Sequence, residues 1–408
     1  MIKYNLLLYL LTPYLIIKVI AIAIKRRNGI SFILQRLGLN KIKKNREVIW
    51  LHASSIGEAK LAILIYKSLE KKETNSKFLI TTTTQSSSKL INEIEGNVEH
   101  LYLPIDWYFT TKRFIKSINP SICIIIETEI WPNLLQICKK NNIPSIIVNA
   151  RLSKKTTDIN KFVKSIYRSS LSYLTKIMCK SEVEKNKYIE LGADPRNVEV
   201  TGNLKFIEFS ITKNNEDIIK RKYVLAASTH QDEERQIIVE WLKLKERKIL
   251  LVVVPRHPER LGDILSDLPL SMINISIRSK GEPIKKNTQI YIADTYGELN
   301  GLFEHCEFVF MGGSLVDHGG QNFLEAAAYG KTIIVGPYMY NFITETEEFL
   351  KNNCMLMVKN STTLKHLFEK LIKSKKRREL FGSNAKKLLE SKKDIIDNYS
   401  KNIKSLMS

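Results

Sequence analysis

The chain predicts an α/β protein with two doubly wound parallel sheets, on three observations. Short apolar or β-branched runs alternate with stretches of helical spacing over most of the 408 residues, the signature of repeated βα units. Polar and glycine-bearing clusters follow these runs at their carboxyl ends, the edge where open α/β sheets gather ligands. The alternation lapses once, over Phe206 to Glu216, and then restarts, which divides the chain into two halves of ordinary domain size.

Taken in order, Tyr4 to Ile24 is mostly apolar and about as long as a membrane-spanning helix. Pro13 and Lys18 interrupt it, Lys25, Arg26 and Arg27 follow at once, and no small-residue cleavage site comes after. Residues 1–27 are therefore expected to form an N-terminal membrane anchor, spanning or lying in one leaflet, with the rest of the chain on the cytoplasmic side. Arg36 and Lys41 to Lys44 are placed to rest on anionic headgroups.

Residues 28–208 are expected to form the first domain. Its strands are Val48–Leu51, Phe78–Thr82, His100–Pro104, Ser121–Ile126, Ile146–Val148 and Val198–Val200, with helical spacing over Ala59–Glu70. Ser121–Ile126 is almost wholly β-branched, as a strand buried on both faces requires. Residues 209–217 read as a linker and 218–385 as the second domain, with strands Tyr223–Ala227, Lys248–Val254, Gln289–Ala293 and Phe308–Met311. A polar helical pattern runs from Thr362 to the end, and residues 386–408 are expected to pack back on the first domain.

The most structured stretch is Phe308 to Pro337: strand, Gly312-Gly313-Ser314, a second glycine pair at Gly319-Gly320, a helix over Phe323–Tyr329 stopped by Gly330, and a strand at Thr332–Val335. Such a unit presents backbone N–H groups and a helix N-terminus to a phosphate. Glu325, in the first turn, is in reach of a ribose diol. The alternative is that the glycines only make turns.

The net charge of +22, from 64 Lys+Arg against 42 Asp+Glu, favours an anionic partner. Lysine is dispersed along the chain, whereas nucleic-acid binding calls for clustered cations with interleaved aromatics, so no nucleic-acid partner is expected. Cys123, Cys138, Cys179, Cys306 and Cys354 form no paired motif and read as reduced core residues. No HExxH, cysteine–histidine array or carboxylate triad appears, so no metal is expected. The absence of GxSxG and GxxxxGK[ST] excludes a nucleophile elbow and a P-loop.

Six polar clusters follow strands: His52–Glu58, Glu127–Glu129, Asn149–Arg151, Thr201–Asn203, Ser228–His230 and Pro255–Pro258. Glu58 reads either as a first-turn carboxylate favoured by the helix dipole or as a general base. Glu127 and Glu129 are either a solvated pair or a proton-sharing one. His52, His230 and His257 read as packed or capping side chains.

The blocks HASSIGEAK (His52–Lys60), ETEIWPNLL (Glu127–Leu135), NARLS (Asn149–Ser153), TGNLKF (Thr201–Phe206), AASTHQDEE (Ala226–Glu234), VVVPRHPER (Val252–Arg260) and MGGSLVDHGGQNFLEAA (Met311–Ala327) resemble the signature blocks of bacterial 3-deoxy-D-manno-octulosonic acid (Kdo) transferases. The resemblance implies a GT-B glycosyltransferase, two Rossmann-like domains facing a cleft, at the cytoplasmic side of the inner membrane. It implies CMP-Kdo as donor and a lipid A precursor as acceptor, with inversion at the anomeric carbon and no cofactor, in building the lipopolysaccharide inner core. Glu58 stands at the family's general base. Glu127 and Glu129, with Asn149 and Arg151, match its acceptor-side block. Ser228, Thr229, Arg256, His257, Gly312, Gly313, Ser314, Gln321 and Asn322 would hold the phosphate and cytidine, and Glu325 the ribose.

Gln321, Phe323 and Ala326 replace a His and two Pro found in many family members, so the donor-side contacts differ in detail. Two rival readings stay open here: an inverting GT-B enzyme using a UDP-sugar, and a membrane-tethered binding protein without activity.

Overall fold

The computed structural model describes residues 1–25, 29–39, 48–73, 76–152, 156, 160–208, 216–244, 249–268 and 273–407. Arg26 and Arg27, Lys41 to Lys44, Ser153, most of the linker and Lys248 lie outside the described residues. The chain divides into two compact units: Met1–Glu208 with Asp394–Ser408, and Phe209–Lys393.

In the first unit seven parallel strands are β1 (Val48–His52), β2 (Lys77–Thr82), β3 (Val98–Tyr102), β4 (Pro120–Ile126), β5 (Ser145–Ala150), β6 (Lys176–Cys179) and β7 (Val198–Val200), in the order β3-β2-β1-β4-β5-β6-β7. The order reverses between β1 and β4, whose neighbouring carboxyl ends open the switch-point crevice where doubly wound sheets bind ligands. Every residue of β1 and β5 is buried. Side chains of opposite pleat supply the separate apolar layers on the sheet's two faces: Trp50, Cys123 and Ile147 in one, Ile49, Ile122 and Ile146 in the other.

The second unit repeats the plan with β8 (Tyr223–Thr229), β9 (Leu250–Pro255), β10 (Ile275–Ile277), β11 (Ile290–Ile292), β12 (Val309–Met311), β13 (Ile333–Val335) and β14 (Met355–Met357), in the order β10-β11-β9-β8-β12-β13-β14. Its switch point falls between β8 and β12. The edge strands β10 and β14, and β6, have no counterpart in the sequence reading. With three or four residues each, they are too short to show a period.

Two terminal regions differ from expectation. The N-terminal apolar run is two helices, Ile2–Leu10 and Thr12–Lys25, bent by 57°. Pro13 has no N–H to give the Tyr9 carbonyl, so the helix breaks where that bond would lie. Among the described residues no single helix is long and apolar enough to cross a membrane, although this bent pair meets the length and composition together. Val19 and Ala23 pack with Phe32, Ile105 and Trp107, while Ile2, Leu10 and Ile24 stay exposed.

The C-terminal pattern is three helices, Ser361–Lys373, Lys375–Glu390 and Ile395–Lys404. The first two belong to the second unit and only the last to the first, so the boundary lies at 393/394 rather than 385/386. Tyr399 and Ile403 of that last helix are fully buried in the first unit's core. The Tyr399 hydroxyl donates to Gly202 O at 2.8 Å and accepts from the Asn149 N–H at 3.2 Å.

Candidate active site

In the first unit the site is built on the carboxyl ends of β1 and β4. Ser55 caps the helix Ile56–Glu70, its hydroxyl accepting from the Glu58 N–H at 3.2 Å. The Glu58 carboxylate folds back: Oε2 accepts from the Ser54 N–H at 2.7 Å and Oε1 from the Ser55 hydroxyl at 3.1 Å. This is a capping box displaced by one residue. Glu58 thus sits in the helix's first turn, as one of its two readings had it, and also closes the cap, yet the cap is not its whole environment. The residue is only 6% exposed, and burial pushes its carboxyl up to about 7; repulsion from Glu129 and Glu127 adds to this, while the Ser54 and Ser55 bonds oppose it. A carboxyl poised near neutrality is what proton abstraction at ordinary pH needs.

Glu127 and Glu129 have separate roles. Glu127 is buried with φ at +63°, a left-handed conformation that is unfavourable without glycine. Its carboxylate accepts from Arg151 Nε at 2.6 Å and from Asn149 Nδ2 at 3.3 Å. Asn149, itself at φ +52°, spends its carbonyl on the Leu204 N–H at 3.0 Å. Glu127, Asn149 and Arg151 therefore form a committed network that ties β4 and β5 to the Thr201–Phe206 block. Glu129 lies 4.0 Å from His52 Nε2, and burial raises its carboxyl, with bonds from Ser54 and Trp131 and the Arg36 charge opposing. The two do not form an ion pair at neutral pH. Burial holds the imidazole down to about 3, with the nearby Arg36 adding to this, and its Nδ1 lies 2.9 Å from Thr81 Oγ1.

Arg36, expected to rest on anionic headgroups, instead turns into the first unit, and its place in this site is what the sequence reading missed. It ends the helix Gly29–Arg36, bonds the Leu103 carbonyl, and acts on Glu129. Burial brings it down to about 10, so it stays charged. Nothing in the local pattern marks it; only the fold brings it to Glu129.

In the second unit the site lies on β8, β9 and β12. Gly312 is required by close approach, since a Cβ there would sit 2.4 Å from the Ser228 carbonyl oxygen. Ser228 has φ +55°, at the bulge that shifts the register of β8 against β9. The backbone amides that were expected to face a phosphate face a carboxylate of the chain instead. Glu233, fully buried, accepts from the N–H of Gly313 at 2.6 Å, Ser314 at 3.0 Å, Leu315 at 2.9 Å and His230 at 3.1 Å. A buried carboxylate needs such donors, and four amides satisfy it.

Other expected donor contacts are also engaged internally. The Ser314 hydroxyl donates to Met311 O at 2.5 Å and accepts from the Gly336 N–H at 2.8 Å. Buried Thr229 bonds Glu234 at 3.1 Å, and Glu234 pairs with Arg260 at 3.2 Å. The glycine loop leads to a helix of only five residues, Leu324–Ala328, with Asn322 Oδ1 accepting from the Leu324 N–H at 3.1 Å and Asn322 Nδ2 3.5 Å from Glu325.

What stays open toward solvent is a set of side chains. Arg256 and His257 are exposed after β9, with Arg256 making no ion pair among the described residues and His257 beside Glu259 at 3.3 Å. Gln321 Nε2 meets His230 Nε2 at 2.9 Å, and the His230 ring stacks on His318 at 4.3 Å and meets His257 edge-on at 6.0 Å. His230 was expected to be a packed residue and His318 was not singled out. The signal was their position, one in a cluster that follows a strand and the other beside a glycine pair.

Residues 32–208 match the family described as 3-deoxy-D-manno-octulosonic-acid transferase (kdotransferase). A 3-deoxy-D-manno-octulosonic acid transferase of Rickettsia bellii is 30% identical over 412 residues, covering 97% of this chain and 97% of the relative. The enzyme of the same name from Haemophilus influenzae is 33% identical over 351 residues, covering 82% of this chain and 81% of its own. A solved structure of UDP-GlcNAc 2-epimerase from Neisseria meningitidis is 14% identical, with a TM-score of 0.56 over 88% of this chain and 100% of its own, and speaks to the fold, which is GT-B-like. With sequence blocks, paired parallel sheets and near full-length relatives in agreement, the chain belongs to the 3-deoxy-D-manno-octulosonic acid transferase family of glycosyltransferases.

Proposed function

We propose that this enzyme moves Kdo from CMP-Kdo to a lipid A precursor in lipopolysaccharide biosynthesis, at the cytoplasmic face of the inner membrane, with Glu58 as general base. The family supports the sugar and the reaction class. The observation that carries the base assignment is the buried Glu58 carboxyl, raised to about 7 at the switch point of the first sheet.

The chemistry is a single displacement. An acceptor hydroxyl gives its proton to a Glu58 oxygen as its own oxygen bonds the anomeric carbon. The bond from that carbon to the phosphate oxygen breaks, and CMP leaves with the electron pair on the face opposite the attack, so configuration inverts. Glu58 must be ionised to act, and with its pKa close to ambient pH it is both sufficiently ionised and sufficiently basic. Arg36, beside Glu129, offers positive charge to an anionic acceptor. The second unit holds the nucleotide through Arg256, His257, Gln321 and Glu325. A nucleoside monophosphate leaving group carries less charge than a diphosphate, and cationic side chains suffice to stabilise it.

The exposed apolar side chains of the two N-terminal helices support contact with the membrane that holds the acceptor, as does the net charge of +22. The test is to incubate the purified protein with CMP-Kdo and a lipid A precursor and to weigh the product. A gain of one or more Kdo residues is expected. Turnover of a UDP-sugar in place of CMP-Kdo would overturn the donor, and an unchanged precursor would overturn the acceptor.

A further inference from the structure

The second unit poses a problem for anion recognition. The amides of Gly313, Ser314 and Leu315, which a glycine loop offers to phosphate elsewhere, are taken by Glu233. Recognition of a phosphate therefore falls to side chains. Those at the same edge are His230 after β8, Arg256, His257 and Arg260 after β9, and His318 and Gln321 after β12. Three of these six are histidines.

We propose that His230, stacked on His318 and hydrogen-bonded to Gln321, is a proton-linked receptor for the phosphate of the nucleotide and takes up a proton from solvent when that phosphate binds. This rests on the reading that the second unit holds the cytidylate.

The geometry defines both states. In the structure Gln321 Nε2 lies 2.9 Å from His230 Nε2, so the amide donates to the ring's lone pair and the ring is neutral, its proton on Nδ1. A half-turn of the Gln321 amide replaces its N–H with its carbonyl, which accepts from Nε2–H of the charged ring. The same side chain serves either state. Gly313 leaves the space for it: a Cβ there would stand 3.1 Å from His230 Cδ2 and 3.4 Å from Gln321 Nε2.

The charges around the ring explain why the free state is neutral. Partial burial lowers His230, and His318, His257, Arg260 and Arg256 lower it further, to about 4. The neighbouring acids do little to relieve this. Glu233 is enclosed by four amides, Glu234 is paired with Arg260, and Glu259 sits beside exposed His257. An anion placed among Arg256, His230 and His318 reverses the balance, since an opposite charge within about 4–6 Å raises a histidine by roughly 1–3 pH units. Binding then couples to protonation near pH 6. Two stacked imidazoles do not both charge readily, so the uptake is at most about one proton.

The experiment is isothermal titration of the full-length protein with the methyl ester of CMP, a phosphodiester with no proton of its own to exchange near neutral pH. It is run at pH 6 in two buffers of different ionisation enthalpy. Wild type is expected to take up roughly half a proton, and its affinity to fall about fourfold from pH 5.5 to 7.5. His230→Asn is expected to bind without proton uptake and with a flat pH dependence. The backbone bond of residue 230 to Glu233 survives that substitution, and a histidine NMR titration of the wild type, with and without the ester, reads the same shift with no variant at all. Binding without proton uptake in the wild type, or equal uptake in His230→Asn, would refute the proton link alone. No binding of the ester at any pH would remove the donor reading and this inference with it.

Discussion

Replacing Glu58 by Gln separates its two roles within one side chain. The glutamine carbonyl still accepts from the Ser54 N–H, and its amide donates to the Ser55 hydroxyl, so the cap of the helix Ile56–Glu70 is kept. What is lost is a group that takes a proton. A positioned general base contributes about 10²- to 10⁴-fold, and kcat for Kdo transfer should fall by that factor while affinity for CMP holds. The pH profile gives a second reading. Wild-type turnover should rise with pH through about 7, as Glu58 ionises, and the residual rate of the variant should lack that rise. Stability supplies a third. Because burial raises the carboxyl from 4.5 to about 7, the folded state binds more protons than the unfolded state across that window. Stability from this group is therefore present below about 4.5 and lost as pH rises through about 7, roughly 3 kcal/mol in all. Denaturant unfolding at pH 5 and pH 8 should show that loss in the wild type and a smaller one in Glu58→Gln. Transfer by the variant within about threefold of wild type would refute the base assignment, whatever the fold does.

Three further outcomes are expected. Arg256→Ala should weaken CMP binding by roughly tenfold, the worth of one charge-assisted hydrogen bond, with the thermal midpoint unmoved because the side chain is exposed; calorimetry showing unaltered affinity would dismiss its role. Glu233→Gln puts an amide among four N–H donors and should destabilise the second unit by roughly 2–4 kcal/mol while weakening CMP binding, although Glu233 is fully buried. An unfolding curve that matches wild type would show that the amide cage is not held by charge. Tyr399→Phe removes the donor to Gly202 and the acceptor for Asn149, and should cost the first unit about 1–2 kcal/mol without touching CMP affinity; equal stability would mean that these two bonds do not hold the last helix in place.

Much of this was legible in the chain. Period and composition placed β1, β2, β4, β8 and β12, because a strand buried on both faces must be continuously apolar. Helical spacing was read from Ala59, three residues after the helix starts at Ile56, and the break between the two sheets showed as a lapse in alternation. The glycine loop at 312–320 was expected to present backbone amides to a phosphate; the structure presents those amides to Glu233 instead. Local pattern says that amides will be presented; it does not say what reaches them first. That was Glu233, 80 residues from Gly313 along the chain.

By itself, then, the sequence determined the class of the protein, the strand-and-loop framework and the residues able to act as acid, base or cation, because these follow from short-range rules of burial and turn geometry. Only the tertiary structure decided which of those residues meet. Arg36 comes to Glu129, His230 to His318 and Gln321, and Tyr399 to Asn149, through strand order and helix packing. The electrostatics that poise Glu58 and His230 depend on those meetings, since burial and neighbouring charge shift a carboxyl or an imidazole and neither can be read from the residues alongside it in the chain.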